Sequence, residues 1–221
     1  NNTFYSIISN NNTGEGLDIA NTNGTIVYNY TASNNQFGII FHESNNANIY
    51  NITTNNNTQY GMYFISWNGG PNNGGLASQN NTFSNITASS NTLAGIQMSN
   101  IYNSTFNNIT LTNNAIGMRF GGATAWWGVA ADEISMSNNI TNSMIANNSQ
   151  YGIVFNISSY NNLVNLTVYN DSTAIYITNS SNNSLINSNI YNSAIGFIIL
   201  MSSLANNISY NNIYNNTISI M

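Results

Sequence analysis

The chain has no cysteine, no lysine, one arginine, one histidine and one proline among its 221 residues. Each shortage closes a class of function. Without cysteine there is no disulfide, no thiolate metal cluster and no cysteine nucleophile, and the lone His42 cannot build a multi-histidine metal site. No metal or other cofactor is expected. With Arg119 as the one permanent cation and a formal net charge of -5, there is no electrostatic footprint for nucleic acid or for an anionic membrane surface. The longest apolar run, Ala194 to Met201, is too short to span a bilayer. No initiator methionine or signal peptide opens the chain, which reads as a processed form or as a segment of something longer, and either suits an exported protein. Charged residues are 3% of the total, against about 25% in ordinary domains.

What fills the space is asparagine, with 52 copies, beside 27 serines and 20 threonines. Such a bias marks either a low-complexity tract or a repeat whose turns need asparagine. The 42% apolar content, with 23 phenylalanines and tyrosines, can bury enough surface to offset the ordering entropy, so the chain should fold.

A small residue followed by alternating apolar positions recurs at Gly16, Gly38, Gly61, Gly95, Gly117, Gly152, Ala174 and Gly196, with a partial ninth copy anchored on Ser219. The spacings of the complete copies are 22, 23, 34, 22, 35, 22 and 22 residues, a period of about 22 with two insertions, at about 66–78 and 121–135. The first and third residues after each anchor are apolar in every complete copy, from Leu17 and Ile19 to Phe197 and Ile199, the mark of a short half-buried strand. A second inward pair precedes the anchor, as in Tyr30 and Ala32 or Ile109 and Leu111; Ile52 and Ile86 shift by one residue, which predicts a longer turn in those copies. Four residues before the anchor, asparagine occupies all complete copies: Asn12, Asn34, Asn57, Asn91, Asn113, Asn148, Asn170 and Asn192. Asparagine tolerates left-handed corners and forms stacked amide ladders. The pattern predicts an all-β solenoid, a single domain over residues 1–221 with about nine coils stacked roughly 4.8 Å apart. Scarcity of charge follows, because a charge written into the repeat would face its own copy one strand away.

On this Asn-x-x-x-Gly-Ile-x-Phe unit, which runs through essentially the whole chain, the protein resembles the right-handed parallel β-helices of the pectin-lyase-like superfamily, especially the Asn-rich repeat proteins of archaeal and bacterial surfaces. The resemblance implies a right-handed coil; function is left open, since the superfold carries lyases, hydrolases, epimerases, adhesins and structural proteins. Its sugar-cleaving members use clustered carboxylates, or Asp-bound calcium with an arginine base. Here the acids are Glu15, Asp18, Glu43, Asp132, Glu133 and Asp171, and the nearest approach to a cluster is Asp18 with His42 and Glu43 on the next coil. Solvated surface groups are the better reading of that trio. Of the polygalacturonase-like motifs there is only Asn21-Thr22-Asn23, with asparagine in the acid's place. Arg119 is expected to pair with Asp132 or Glu133 and pin the second insertion. The expectation is therefore no catalytic residue, no metal and no enzyme, a polysaccharide lyase or glycoside hydrolase being the minor alternative.

Nineteen Asn-x-Ser/Thr sequons begin at Asn1, Asn11, Asn23, Asn29, Asn51, Asn56, Asn80, Asn85, Asn103, Asn108, Asn139, Asn147, Asn156, Asn165, Asn170, Asn179, Asn182, Asn207 and Asn215, where composition alone gives about 11. Asn29, Asn51, Asn85, Asn108 and Asn165 share one outward place in their coils, which suits extracellular N-glycosylation. The column two after the anchor should face solvent, yet it holds Ile40, Tyr63, Tyr176, Ile198 and Met221, continued by Ile65 and Leu200. With Trp67, Trp126 and Trp127 of the insertions, this predicts a contact face. No polar cap is evident at either terminal coil, so head-to-tail stacking into filaments is expected. The sequence thus points to an extracellular or cell-surface structural glycoprotein assembled from copies of itself. A carbohydrate-binding or carbohydrate-cleaving protein, or an adhesin module of a longer surface protein, is the alternative.

Overall fold

The structure, a computed structural model, describes residues 2–66, 76–122, 134–200 and 202–221, and these wind into a parallel β-solenoid. A nine-stranded sheet, here the anchor sheet, collects the strand that carries each anchor: Glu15–Ala20, Phe37–His42, Tyr60–Ile65, Ala94–Met98, Ile116–Phe120, Tyr151–Asn156, Thr173–Thr178, Ile195–Leu200 and Ile218–Ile220. A 13-stranded split sheet faces it, beginning with Thr3–Ile8 and Ile26–Thr31; from Asn139–Thr141 onward each coil contributes two short strands to it instead of one. Ser78–Gln79 and Ile101–Tyr102 pair as a small third side. Both insertions leave the ladder undisturbed, since Tyr60 pairs with Ala94 and Ile116 with Tyr151 across them. Among the described residues no helix is long and apolar enough to cross a membrane.

The two apolar columns meet inside as expected. Ile39, Phe41, Met62, Phe64, Ile96, Met98, Met118, Phe120, Ile153 and Phe155 from the anchor sheet pack against Ile49, Ile52, Phe83, Ile86, Phe106, Ile109 and Leu111 from the split sheet in one continuous cluster. Rings register coil on coil: Phe41 stacks on Phe64 at 4.8 Å, and Phe120 on Phe155 at 4.4 Å. The anchors are glycine for want of room. A Cβ on Gly117 would lie 2.6 Å from the Gly152 carbonyl and 2.6 Å from Ile145 Cγ2.

Asparagine does two separate jobs at the corners. Of the 31 non-glycine residues with positive φ among the described residues, 22 are asparagine, the residue for which a left-handed conformation is cheapest after glycine. The next residue of one corner then forms a ladder from Asn12 through Asn35, Asn57, Asn91, Asn114 and Asn148 to Asp171, buried from Asn35 onward, in which the backbone N–H of each asparagine donates to the side-chain oxygen one coil on at 2.7–3.1 Å. This corrects the single asparagine column read from the sequence. Asn12, Asn57, Asn91 and Asn148 lie in the ladder, whereas Asn34, Asn113, Asn170 and Asn192 hold the left-handed corner one residue earlier. The connection from ladder to anchor is one residue longer in the first set, as the shift at Ile52 and Ile86 foretold.

Candidate functional site

The column two after the anchor stacks in the order Asp18, Ile40, Tyr63, Gln97, Arg119, Val154, Tyr176, Ile198, one residue per coil. It does point out of the coil, but most of it is not the solvent-facing stripe expected. Ile40, Tyr63, Ile65 and Ile198 are 3–8% exposed; Leu200 and Met221, at 41% and 57%, are open. Ile40, Tyr63 and Ile65 belong to a second apolar cluster outside the solenoid, with Phe37 and with Tyr60 against it. Its rings pack face to face or tilted, Phe37 to Tyr63 at 5.8 Å and Tyr60 to Tyr63 at 4.8 Å. Tyr176 is half-buried; Trp67, Trp126 and Trp127 lie outside the described residues.

Beside this cluster the anchor sheet is hollowed. One depression of about 310 Å³ is lined by Ile116, Arg119, Gln150, Tyr151, Val154, Asn156, Tyr176 and Thr178. A second, of about 210 Å³, shares Ile116, Arg119 and Gln150 and continues over Thr92, Leu93, Ala94, Gln97 and Ala115 to Tyr60. Together they form a groove along the coil axis with Arg119 at its middle. Arg119 Nε is buried and makes no hydrogen bond among the described residues. Its expected partners Asp132 and Glu133 lie outside the described residues. Gln97 Nε2 is held by Ser99 Oγ and the Gly121 carbonyl at 3.1 and 3.2 Å, and Tyr151 leans on Tyr176 at 5.3 Å. The lining supplies aromatic rings, amides, a hydroxyl and a guanidinium, a set suited to gripping hydroxylated chains. The sequence singles out Arg119 as the ion-pair partner of the insertion and Tyr176 as a contact-face residue, and gives no sign of Tyr60, Gln150 and Tyr151. These sit at or just before the anchor's predecessor, a column whose contents do not repeat.

The acidic trio divides. Asp18 Oδ1 approaches His42 Nε2 at 3.6 Å, while Glu43 Oε1 accepts from Ser66 Oγ at 2.8 Å and from the Leu76 N–H. Burial raises the Asp18 carboxyl above its usual value, with His42 partly offsetting it. Burial likewise lowers the His42 imidazole, against the pull of Asp18, Glu43 and Glu15. Among the described residues no three such groups converge on a metal position.

The sequon column Asn29, Asn51, Asn85 and Asn108 is exposed in a left-handed corner of the split sheet. Its amides bond coil to coil: Asn51 Nδ2 donates to Asn29 Oδ1 at 3.1 Å, Asn85 to Asn51 at 2.9 Å, and Asn108 to Asn85 at 2.8 Å. Asn165 donates to Asn142 in the same way at 2.7 Å. Turn geometry and this ladder give the column a structural reason of its own. Of the other sequon asparagines, Asn139 and Asn156 are half-buried, Asn1 lies outside the described residues, and the rest are exposed.

Comparison with known proteins places the fold. Residues 123–221 are similar to the family described as periplasmic copper-binding protein (NosD). Copper takes imidazole, thiolate and thioether donors; this chain has no cysteine, its one histidine, His42, faces the Asp18 carboxylate, and Met62, Met98 and Met118 are shut in the hydrophobic core, so among the described residues these donors do not fit a copper centre. No curated protein sequence matches the chain. Among solved structures, a variant of a periplasmic alginate epimerase superposes with a TM-score of 0.69 at 14% identity, over 99% of this chain and 51% of that one. A tailspike protein from a bacteriophage of Escherichia coli O157:H7 gives 0.63 at 13%, over 94% and 37%, and a pectate lyase gives 0.59 at 12%, over 93% and 69%. The chain thus spans about half the length of the epimerases it matches. The expectation of a non-enzyme is overturned by these comparisons, because the similar folds include an epimerase and a lyase. Residues 1–131, more than half of the sequence, match the model of the right-handed beta helix region, and with the parallel coils described above they establish that the chain belongs to the right-handed β-helix family.

Proposed function

We propose that this protein binds an extended polysaccharide laid along the solenoid axis in the groove of the anchor sheet. The observation that carries the reading is the groove itself. It crosses five successive strands, from Tyr60 through Gln97, Arg119 and Tyr151 to Tyr176, a length of about 19 Å at the β-strand spacing. Tyrosine rings offer flat apolar faces for the carbon-hydrogen faces of sugars, and Gln150, Asn156 and Thr178 offer amides and a hydroxyl for their hydroxyls. The similar folds named for an epimerase of alginate and a lyase of pectate support a carbohydrate ligand and its turnover. The family description and the epimerase's name, both periplasmic, support a place outside the cytoplasm, in the periplasm or beyond. End-to-end assembly into a filament draws no such support from the proteins named above, none of which is described as a filament subunit.

The test is titration calorimetry against a panel of soluble polysaccharides with the native chain and Tyr176→Ala, followed by product analysis by nuclear magnetic resonance after long incubation. Binding to at least one polymer, weakened about tenfold by Tyr176→Ala, is expected from loss of one aromatic contact. A panel that gives no binding at millimolar sugar, or binding indifferent to Tyr176, removes the groove from consideration.

A further inference from the structure

The charge map of the groove narrows the ligand, on the assumption that the groove binds polysaccharide at all. Arg119 is the only arginine or lysine of the chain, and it stands in the middle of the groove with its Nε buried and unbonded. Its neighbours along the column are Gln97 and Tyr63 on one side and Val154 and Tyr176 on the other, none of them a cation. Farther along the same outward column, toward the first coil, stands the carboxylate of Asp18, with Glu15 and Glu43 nearby. The chain as a whole carries a formal charge of -5.

We infer that the groove is built for a largely neutral polysaccharide that carries an isolated acidic sugar, whose carboxylate is read by Arg119. A chain with a carboxylate on every sugar would match one of them to Arg119 and lay the others over Gln97, Val154 and the tyrosines, where no cation balances their desolvation. It would also approach a negative protein, against the long-range field. A fully neutral chain would leave the half-buried guanidinium, with its Nε shielded from water, without the partner that its fork geometry suits. A single carboxylate flanked by neutral sugars satisfies both constraints, with Tyr151 and Tyr176 stacking the neighbours on one side and Tyr60 on the other.

Three hexasaccharide-scale probes separate the possibilities: xylohexaose, xylohexaose bearing one glucuronate, and hexagalacturonate, each titrated into the native protein and into Arg119→Gln at low and moderate salt. The singly acidic probe should bind best, roughly 10- to 100-fold tighter than the neutral one, the range expected for a hydrogen bond to a charged group. Arg119→Gln should bring it down to the neutral probe and remove its salt dependence, while weakening xylohexaose by a much smaller factor, since the neutral chain loses one hydrogen-bond donor and no charge pair. Tightest binding of hexagalacturonate, or an equal loss for neutral and acidic probes in Arg119→Gln, overturns this inference while leaving the polysaccharide groove intact. Failure of all three to bind, with Arg119→Gln folded by circular dichroism, overturns both.

Discussion

Replacing Asp171 by asparagine should make the solenoid more stable at neutral and alkaline pH and leave it unchanged in acid. Asp171 occupies the buried asparagine ladder at 3% exposure. Its Oδ1 accepts from the backbone N–H and the Nδ2 of Asn148, at 2.7 and 2.9 Å, as an asparagine oxygen would. Its Oδ2 has no partner. Elsewhere in the ladder that place belongs to an Nδ2 donating to a carbonyl of the preceding coil, as Asn91 does to Thr54 and Asn114 to Ala88. Only a protonated carboxyl can copy this donor. Burial accordingly pushes the Asp171 carboxyl from 3.8 up to about 7, against the two hydrogen bonds from Asn148. The unfolded chain ionises near 3.8 and the folded one near 7, so the folded state holds the proton more tightly. The group's stability is fully present below pH 4 and is lost as pH rises to 7. A displacement of roughly three pH units corresponds to about 4 kcal/mol. Urea unfolding of the native chain and Asp171→Asn at pH 4, 5.5, 7 and 8.5 measures it. Titration of Asp18 and His42 is common to both proteins and cancels in the difference. A difference between the two that does not change from pH 4 to 8.5 would refute the argument.

Two further perturbations probe the repeat itself. Gly117→Ala should cost about 1–3 kcal/mol, because the new methyl meets the Gly152 carbonyl and Ile145 and neither can retreat without moving a coil. The reverse change Ala174→Gly, at the one complete coil already anchored by alanine, should cost less than half as much; equal costs in urea melts would show that anchor space is not the constraint. Tyr28→Leu should cost about 1–3 kcal/mol through two ring pairs, since Tyr28 stacks on Tyr5 at 5.5 Å and on Tyr50 at 5.1 Å. A loss no greater than that of Tyr5→Leu, which breaks one pair, would mean that the stack contributes no more than its ends.

Much of the fold was legible because a solenoid writes the same physical requirement into every coil. Leu17 and Ile19 through Ile175 and Ile177 announce the inward face seven times over, Phe197 continues it while Ile199 beside it is exposed, and the glycine anchors announce the lack of room behind it. Where the repeat is imperfect, reading by offset misleads. Counting back four residues from the anchor mixed corner and ladder asparagines, since an extra residue in some turns moves Asn57 and Asn91 into the ladder while Asn34 and Asn113 stay at the corner. Alternation also tells inside from outside without telling outside from solvent. Ile40, Tyr63 and Ile65 point away from the coil and are nevertheless buried in a second cluster. The groove was the least legible part. Tyr60 comes from one coil and the neighbours Gln150 and Tyr151 from another, and they share no motif, so only the stacked structure assembles them.

The same stacking that hides the groove from sequence explains why its one charge is informative. In-register coils bring each outward side chain beside its equivalent about 4.8 Å away, so any ionised residue that recurs is penalised by its own copy. Neutral asparagine, serine and threonine therefore fill the repeating positions, and the abundance of these residues records the architecture more than any ligand. A charge persists only at an isolated place. Asp18 stands at the first coil with His42 as its diagonal neighbour, and Asp171 sits in a ladder that favours its protonated form. Arg119 has neither arrangement: it lies between Gln97 and Val154, partly buried, with its Nε unbonded. Among the described residues the Arg119 Nε has no partner, where glutamine or valine serves the neighbouring coils. On the proposed function, its placement at the centre of the groove is the feature that selects the ligand.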